Sequence, residues 1–169
     1  PGVLVSLTGI PEMQGVCTGD GGLHIGAATP HAVVAREARA HYPALADLAG
    51  GIGDPAVRSR GTIGGAIANN DPAACYPSAV LASGATVVTN KRKIAADDYF
   101  QGLFTTALED GELITAVHFP KPQRAGYEKF RNPASRYATV GVFVAQTADG
   151  VRVAVTGAGS GGVFRATAM

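Results

Sequence analysis

The sequence predicts an α+β fold, and three features of its pattern say so. Helical stretches group between residues 29 and 84, short apolar strands bracket them, and the two kinds do not alternate strictly as a doubly wound sheet requires. Only 16% of residues are charged, 46% are hydrophobic and mean hydropathy is +0.14, so the chain has the composition to fold around a core. A net charge of +1 gives no general pull toward nucleic acid or an anionic membrane. No apolar run approaches the ~18 residues that a membrane helix needs, so no membrane insertion is expected. The two cysteines, Cys17 and Cys75, cannot supply the four thiolates of an iron–sulfur cluster or of a cysteine-only zinc site.

Val3–Leu7 is a short apolar run and reads as a buried strand. The turn Gly19-Asp20-Gly21-Gly22 leads into a second strand, Leu23–Ala27. Thr29-Pro30 opens a helix over Ala32–Ala40, with Thr as cap and Pro preorganised at the first helical position. Pro43–Ala49 is a second helix, stopped by Gly50-Gly51. Ile52-Gly53-Asp54-Pro55 is turn chemistry, and Arg58-Ser59-Arg60-Gly61 is basic. Asp71-Pro72 opens a helix running to Gly84, with Asp71 as cap. Ala85–Thr89 is a strand, Asn90-Lys91 a turn, Asp97–Leu103 a short helix and Glu112–Phe119 a strand. Lys121–Arg124 reads as a linker, followed by strands Tyr127–Arg131, Ala138–Gln146 and Val151–Thr156, the last two joined at Ala148-Asp149-Gly150. The chain opens at Pro1 inside a predicted strand and closes at Met169 just past a glycine turn, which reads as part of a longer protein.

The strongest local signal is Thr62-Ile63-Gly64-Gly65, preceded by two arginines. Paired glycines let successive amides form an anion-binding concavity for a phosphate, with the Thr62 hydroxyl as a further donor. The same pair also suits a turn that only lets a strand cross a helix closely, and both readings stay open. No Gly-Lys-Ser/Thr follows, so this is not a Walker loop. Gly157-Ala158-Gly159-Ser160-Gly161-Gly162 fits G-x-G-x-x-G after a strand, but the strand before it reads as half of an antiparallel hairpin. A dinucleotide loop needs a helix next and an acidic residue about 20 positions on; otherwise it is a plain glycine turn. His24, His31, His41 and His118 show no metal-ligand spacing and no nucleophile partner. Cys75, in the first turn of a predicted helix, reads either as a reactive thiol or as a small buried apolar residue.

An ordered series of segments resembles one family. It runs Ile52-Gly53-Asp54, Arg60-Gly61-Thr62-Ile63-Gly64-Gly65, Asn70-Asp71-Pro72-Ala73-Ala74, Gly84-Ala85-Thr86-Val87 and Gly111-Glu112-Leu113-Ile114. Tyr127-Glu128-Lys129-Phe130, Ser135-Arg136-Tyr137-Ala138 and Gly157-Ala158-Gly159 complete it, so that the resemblance covers essentially the whole chain. The family is the flavin-binding (medium) subunit of molybdenum hydroxylases, of the carbon monoxide dehydrogenase and xanthine dehydrogenase type.

The resemblance implies the second lobe of a two-lobed FAD-binding domain over residues 1–120 and the start of a C-terminal α+β flavoprotein domain over 125–169. It implies FAD as cofactor, with Thr62, Ile63, Gly64 and Gly65 along the diphosphate and ribityl chain and Ala66 and Asn69 beside them. Ile52 and Gly53 would pass the isoalloxazine ring, Ile114 would make an apolar contact, and Lys129 and Tyr137 would reach the ring's edge. No catalytic acid or base and no metal ligand are implied. Ala66 stands where the family commonly has a polar residue, and Cys75 where it has Asp. The family's first glycine-rich phosphate loop precedes Val3 and is not in this sequence, so FAD binding by this stretch alone is expected to be weak or absent. The implied function is cytoplasmic electron transfer, from iron–sulfur clusters on a small subunit, through FAD, to an external acceptor. The substrate would be oxidised on a large molybdenum-cofactor subunit. The alternatives are a non-catalytic docking module with a decayed flavin site and a free-standing flavin oxidoreductase.

Overall fold

Strand pairing begins at the first glycine turn. The computed structural model describes residues 2–19 and 21–168, and in it β1 (Val16–Gly19) pairs antiparallel with β2 (Gly22–Gly26). Asp20 of that turn lies outside the described residues, as do the chain-end residues Pro1 and Met169. Five helices follow: α1 (His31–Glu37), α2 (Pro43–Gly50), α3 (Pro55–Arg60), α4 (Ile63–Asn69) and α5 (Tyr76–Ala82). Then come β3 (Thr86–Thr89), β4 (Lys93–Ala95), α6 (Ala96–Tyr99) and the small hairpin of β5 (Phe100–Gly102) and β6 (Thr105–Thr106). The chain continues with β7 (Ile114–Pro120), β8 (Arg124–Arg131), β9 (Ala138–Thr147), β10 (Gly150–Thr156) and β11 (Phe164–Arg165).

The α+β class holds, and every strand pairing among the described residues is antiparallel. One sheet has the order β1-β2-β7-β3-β4 and the other β11-β10-β9-β8. Alternation along the first sheet puts Leu23, Ile25, Val87, Val117 and Phe119 on its buried face. Helix α5 packs against β9 and β10, and α2 against β8, so helices fill the space between the sheets. Tyr42 is the wedge: its ring meets Phe119 of one sheet and Phe143 of the other at 6.2 and 6.1 Å, edge-on. Its hydroxyl reaches the Ser83 hydroxyl at 2.6 Å, so the buried phenol is satisfied. Arg152 of β10 ties that strand to α5 and α6, donating to the Leu81 carbonyl and to both Asp97 carboxylate oxygens at 2.8 Å.

Several expectations fail for identifiable reasons. Val3–Leu7 is not a strand: Val3, Leu4 and Val5 are exposed, with no neighbouring strand among the described residues to pair them. Thr29 does not cap α1; its hydroxyl is spent on the Gly15 backbone. Helix α1 ends at Glu37, short of the expected Ala40. The expected turn at Ile52-Gly53-Asp54 forms, but Pro55–Arg60 and Ile63–Asn69, for which no helix is expected from the sequence, fold into α3 and α4, capped by Asp54 through Val57 N at 2.8 Å and by Thr62 through Gly65 N at 3.2 Å. Asp71 closes a local turn onto Ala73 N, so α5 starts only at Tyr76. The expected helix Asp97–Leu103 is one turn, α6, and then bends into β5. Arg124 of the expected linker already belongs to β8. Among the described residues no helix follows Gly157–Gly162; β11 folds back onto β10 instead, which speaks against the dinucleotide-loop reading there.

One close approach fixes α4. The amides of Ile63 and Gly64 donate to the carbonyls of Thr29 and Ala27, at 3.2 and 2.9 Å. A β-carbon on Gly64 would stand 2.5 Å from Ala27 Cβ, so only glycine lets the helix start against the end of β2. On Gly65 it would meet only Thr62 Oγ1, at 3.1 Å. Gly64→Ala is therefore expected to lower the unfolding free energy by about 1–3 kcal/mol, and Gly65→Ala by clearly less, in paired urea melts.

Candidate functional site

The Pro30–Thr62 bridge brings the loop before α1 alongside the loop before α4, and the hairpin loop between β8 and β9 comes over both. Between them lies a cavity of about 440 Å³, within the ordinary range for a small-molecule site. Eight of the sequence-predicted residues border it: Ile52, Gly53, Thr62, Gly65, Ala66, Asn69, Lys129 and Tyr137. Ile63 does not; it is fully buried beneath α4. Gly64 and Ile114 border a second, smaller cavity of about 190 Å³ on the other side of the α4 start, which shares Thr62 and Gly65 with the first.

Of the two sequence readings of the glycine pair, the close crossing is the one that forms. Gly64 serves the close crossing, while Gly65 is exposed and faces both cavities. The open amide concavity does not form, because the amides of residues 63 and 64 donate to Thr29 and Ala27, that of Gly65 to the Thr62 hydroxyl, and that of Ala66 to the Thr62 carbonyl. What Thr62 keeps for a ligand is its own hydroxyl proton, since its oxygen accepts from Gly65.

The lining is cationic. Arg60, Lys129 and Arg136 border the cavity against a single carboxylate, Asp71. Lys129 Nζ donates to the Gly51 carbonyl at 3.0 Å and to Cys75 Sγ at 3.4 Å, which ties β8 to the ends of α2 and α5. Cys75 is buried in the core cluster and touches the cavity, so it fills the small-apolar-residue role. Arg136 sits at φ 60, a left-handed conformation uncommon for a long side chain. Its loop is held because the Asn132 carboxamide oxygen accepts from the amides of Ala134 and Ser135, both at 3.0 Å.

Sequence reading missed His31 and Tyr76. Both border the cavity, and their rings stand 5.3 Å apart. His31 Nδ1 and Tyr76 Oη are buried without a hydrogen-bond partner among the described residues, a costly state. Burial, and then the charge of Arg58, hold the His31 imidazole down at about 4, so it is neutral near pH 7. Burial pushes the Tyr76 phenol well above its usual range. No local pattern marks either residue, because each enters the site only through the non-local Pro30–Thr62 contact and the packing of α5.

His31 also sets an acid limit. Its folded pKa lies below 6.5, so the unfolded chain binds the extra proton, and stability is expected to fall as pH drops from about 6.5 to about 4. Glu112, held at about 2 first by Arg92 and then by the Glu109 amide, adds a second loss between about 4.5 and 2. Urea melts from pH 7 to pH 3 should show His31→Gln flattening the upper limb only.

Comparisons place this geometry among known proteins. Residues 1–122 match the family described as the FAD binding domain in molybdopterin dehydrogenase. The carbon monoxide dehydrogenase medium chain of Afipia carboxidovorans is 36% identical over 159 residues, covering 89% of this chain and 55% of that one. The glyceraldehyde dehydrogenase medium chain of Sulfolobus acidocaldarius is 33% identical over 153 residues, covering 86% and 54%. A solved carbon monoxide dehydrogenase of Hydrogenophaga pseudoflava superimposes with a TM-score of 0.85 at 32% identity, covering 94% of this chain and 60% of that chain. The chain spans somewhat more than half the length of the curated relatives it matches.

Proposed function

The chain belongs to the FAD-binding domain family of molybdopterin dehydrogenases, and from that premise we propose that it is the flavin-carrying part of an electron-transfer subunit of a molybdenum hydroxylase. The observation that carries the proposal is the cationic cavity beside Thr62 and Gly65. FAD fits these residues: its diphosphate is anionic, and its ring presents polar atoms along one edge. Thr62 and Gly65 would hold the diphosphate side, aided by Arg60. Ile52 and Gly53 would flank the ring, with Lys129 and Tyr137 at its edge and Ala66 and Asn69 lining the path between. Ile63, Gly64 and Ile114 support the other face of the α4 start, and Ile114 with Gly64 would meet whatever part of the cofactor enters the smaller cavity.

Bound flavin supplies a group that takes up and gives back electrons. The chain's own residues bind, orient and shield it. The Thr62 hydroxyl donates its free proton to an acceptor oxygen. Lys129 offers an ammonium donor whose position is set by Gly51 and Cys75. Tyr137, which borders the cavity, would help to shield the ring from water. No side chain acts as acid, base or metal ligand in this account.

The partners would be a large molybdenum-cofactor subunit, where substrate is oxidised, and a small iron–sulfur subunit that feeds the flavin. The relatives' names, medium chains of carbon monoxide and glyceraldehyde dehydrogenases, support that division. The assembly would work in the cytoplasm, where the unpaired Cys17 and Cys75 stay reduced. Residues 1–120 would be the second lobe of the FAD-binding domain and 125–169 part of a C-terminal flavoprotein domain. The change of sheet between Pro120 and Arg124 and the family match ending at 122 support that boundary.

The intact protein is expected to purify yellow and to release FAD, identified by mass, on denaturation. Gly65→Val, which fills the shared ridge, should weaken FAD binding at least about tenfold by flavin fluorescence titration, since one methyl-sized clash costs on the order of 1 kcal/mol or more. A colourless protein that FAD does not reconstitute would leave the docking-module reading in its place.

A further inference from the structure

Arg58 is a half-buried cation with no carboxylate partner among the described residues. Such a charge is costly to bury unless its donors are satisfied. Here one nitrogen, Nη1, donates to two successive main-chain carbonyls, Ile52 at 2.8 Å and Gly53 at 3.0 Å. The turn it grips is left-handed at Gly53, φ 48, and a β-carbon there would stand 2.8 Å from Val57 Cβ on α3. Lys129 takes the preceding carbonyl, Gly51, at 3.0 Å. Three consecutive carbonyls are therefore tied to side-chain ammonium or guanidinium groups, and the turn's side toward the cavity is left to Ile52 and the Gly53 backbone.

We propose that Arg58 is a positioning residue of the cofactor cavity, which, by clamping the Ile52 and Gly53 carbonyls, holds the turn as the wall against which the ring of bound FAD lies. The inference rests on the FAD reading above. Arg58 acts through the turn and touches no cofactor atom in this account. The alternative role, that it merely stabilises α3, is separable. Asp54 caps α3 by accepting from Val57 N at 2.8 Å and takes no part in the clamp. The same guanidinium also helps keep His31 neutral, a second effect that α3 stability does not explain.

The experiment uses the intact protein and FAD as the probe. Arg58→Met is expected to lower FAD affinity about ten- to a hundredfold, the range set by losing a charge-assisted bond. It should also alter the visible circular dichroism of the bound flavin and raise the pH at which His31 titrates by NMR. Arg58→Lys, which can still donate to both carbonyls, should restore most of the affinity. Asp54→Ala should weaken the fold without moving the flavin spectrum. Where Arg58→Met does not fold, Arg58→Gln carries the comparison, with a smaller loss expected. Unchanged affinity and flavin spectrum in the Met or Gln variant overturn the proposal, as does an Asp54→Ala protein that reproduces their effects. A wild-type protein that takes up no FAD overturns the cofactor reading itself, and the role of Arg58 with it.

Discussion

The contact between the start of α4 and the end of β2 is the constraint on which the rest depends. Two amides of α4 donate to the carbonyls of Ala27 and Thr29, and Gly64 has no β-carbon to prevent it. That contact sets the height of α4 over the sheet. It places Thr62 and Gly65 on a ridge between two cavities and Ile63 in the core beneath. It also consumes the amides that an anion nest would have used. A glycine pair can serve either backbone crossing or ligand approach; here Gly64 serves the crossing and Gly65 is left facing the two cavities.

Two cations near the larger cavity share one device. Neither has a carboxylate partner among the described residues, and both rest on main-chain carbonyls, Lys129 on Gly51 and Arg58 on Ile52 and Gly53. A carbonyl satisfies the donor without neutralising its charge, so the wall stays positive while its groups remain hydrogen-bonded. Elsewhere the chain pairs its charges conventionally, as Arg92 does with Glu112 and Arg152 with Asp97. Surplus positive charge is thus kept beside the larger cavity.

The cavity also depends on both sheets. Lys129, Arg136 and Tyr137 come from β8, its hairpin loop and the approach to β9, while the opposite wall comes from the loops around α1, α3 and α4. Tyr42, with its ring between Phe119 and Phe143, joins the two sheets from inside.

The sequence by itself determined the α+β class, most of the strands, the helices at Pro43 and after Asp71, and the ordered segments that mark the family. These are local signals: apolar alternation, proline at a helix start, and glycine–threonine patterns whose meaning lies within a few residues. Only the tertiary structure decided which glycine faces the cavities, that Asp54 and Thr62 cap helices, and that Val3–Leu7 has no partner strand among the described residues. It alone brought in His31, Tyr76 and Arg58. The physical reason is the range of the forces involved. Backbone propensity acts over one turn, whereas the burial that leaves His31 and Tyr76 without partners, and the packing that turns Arg58 onto two carbonyls, arise between segments distant in the chain.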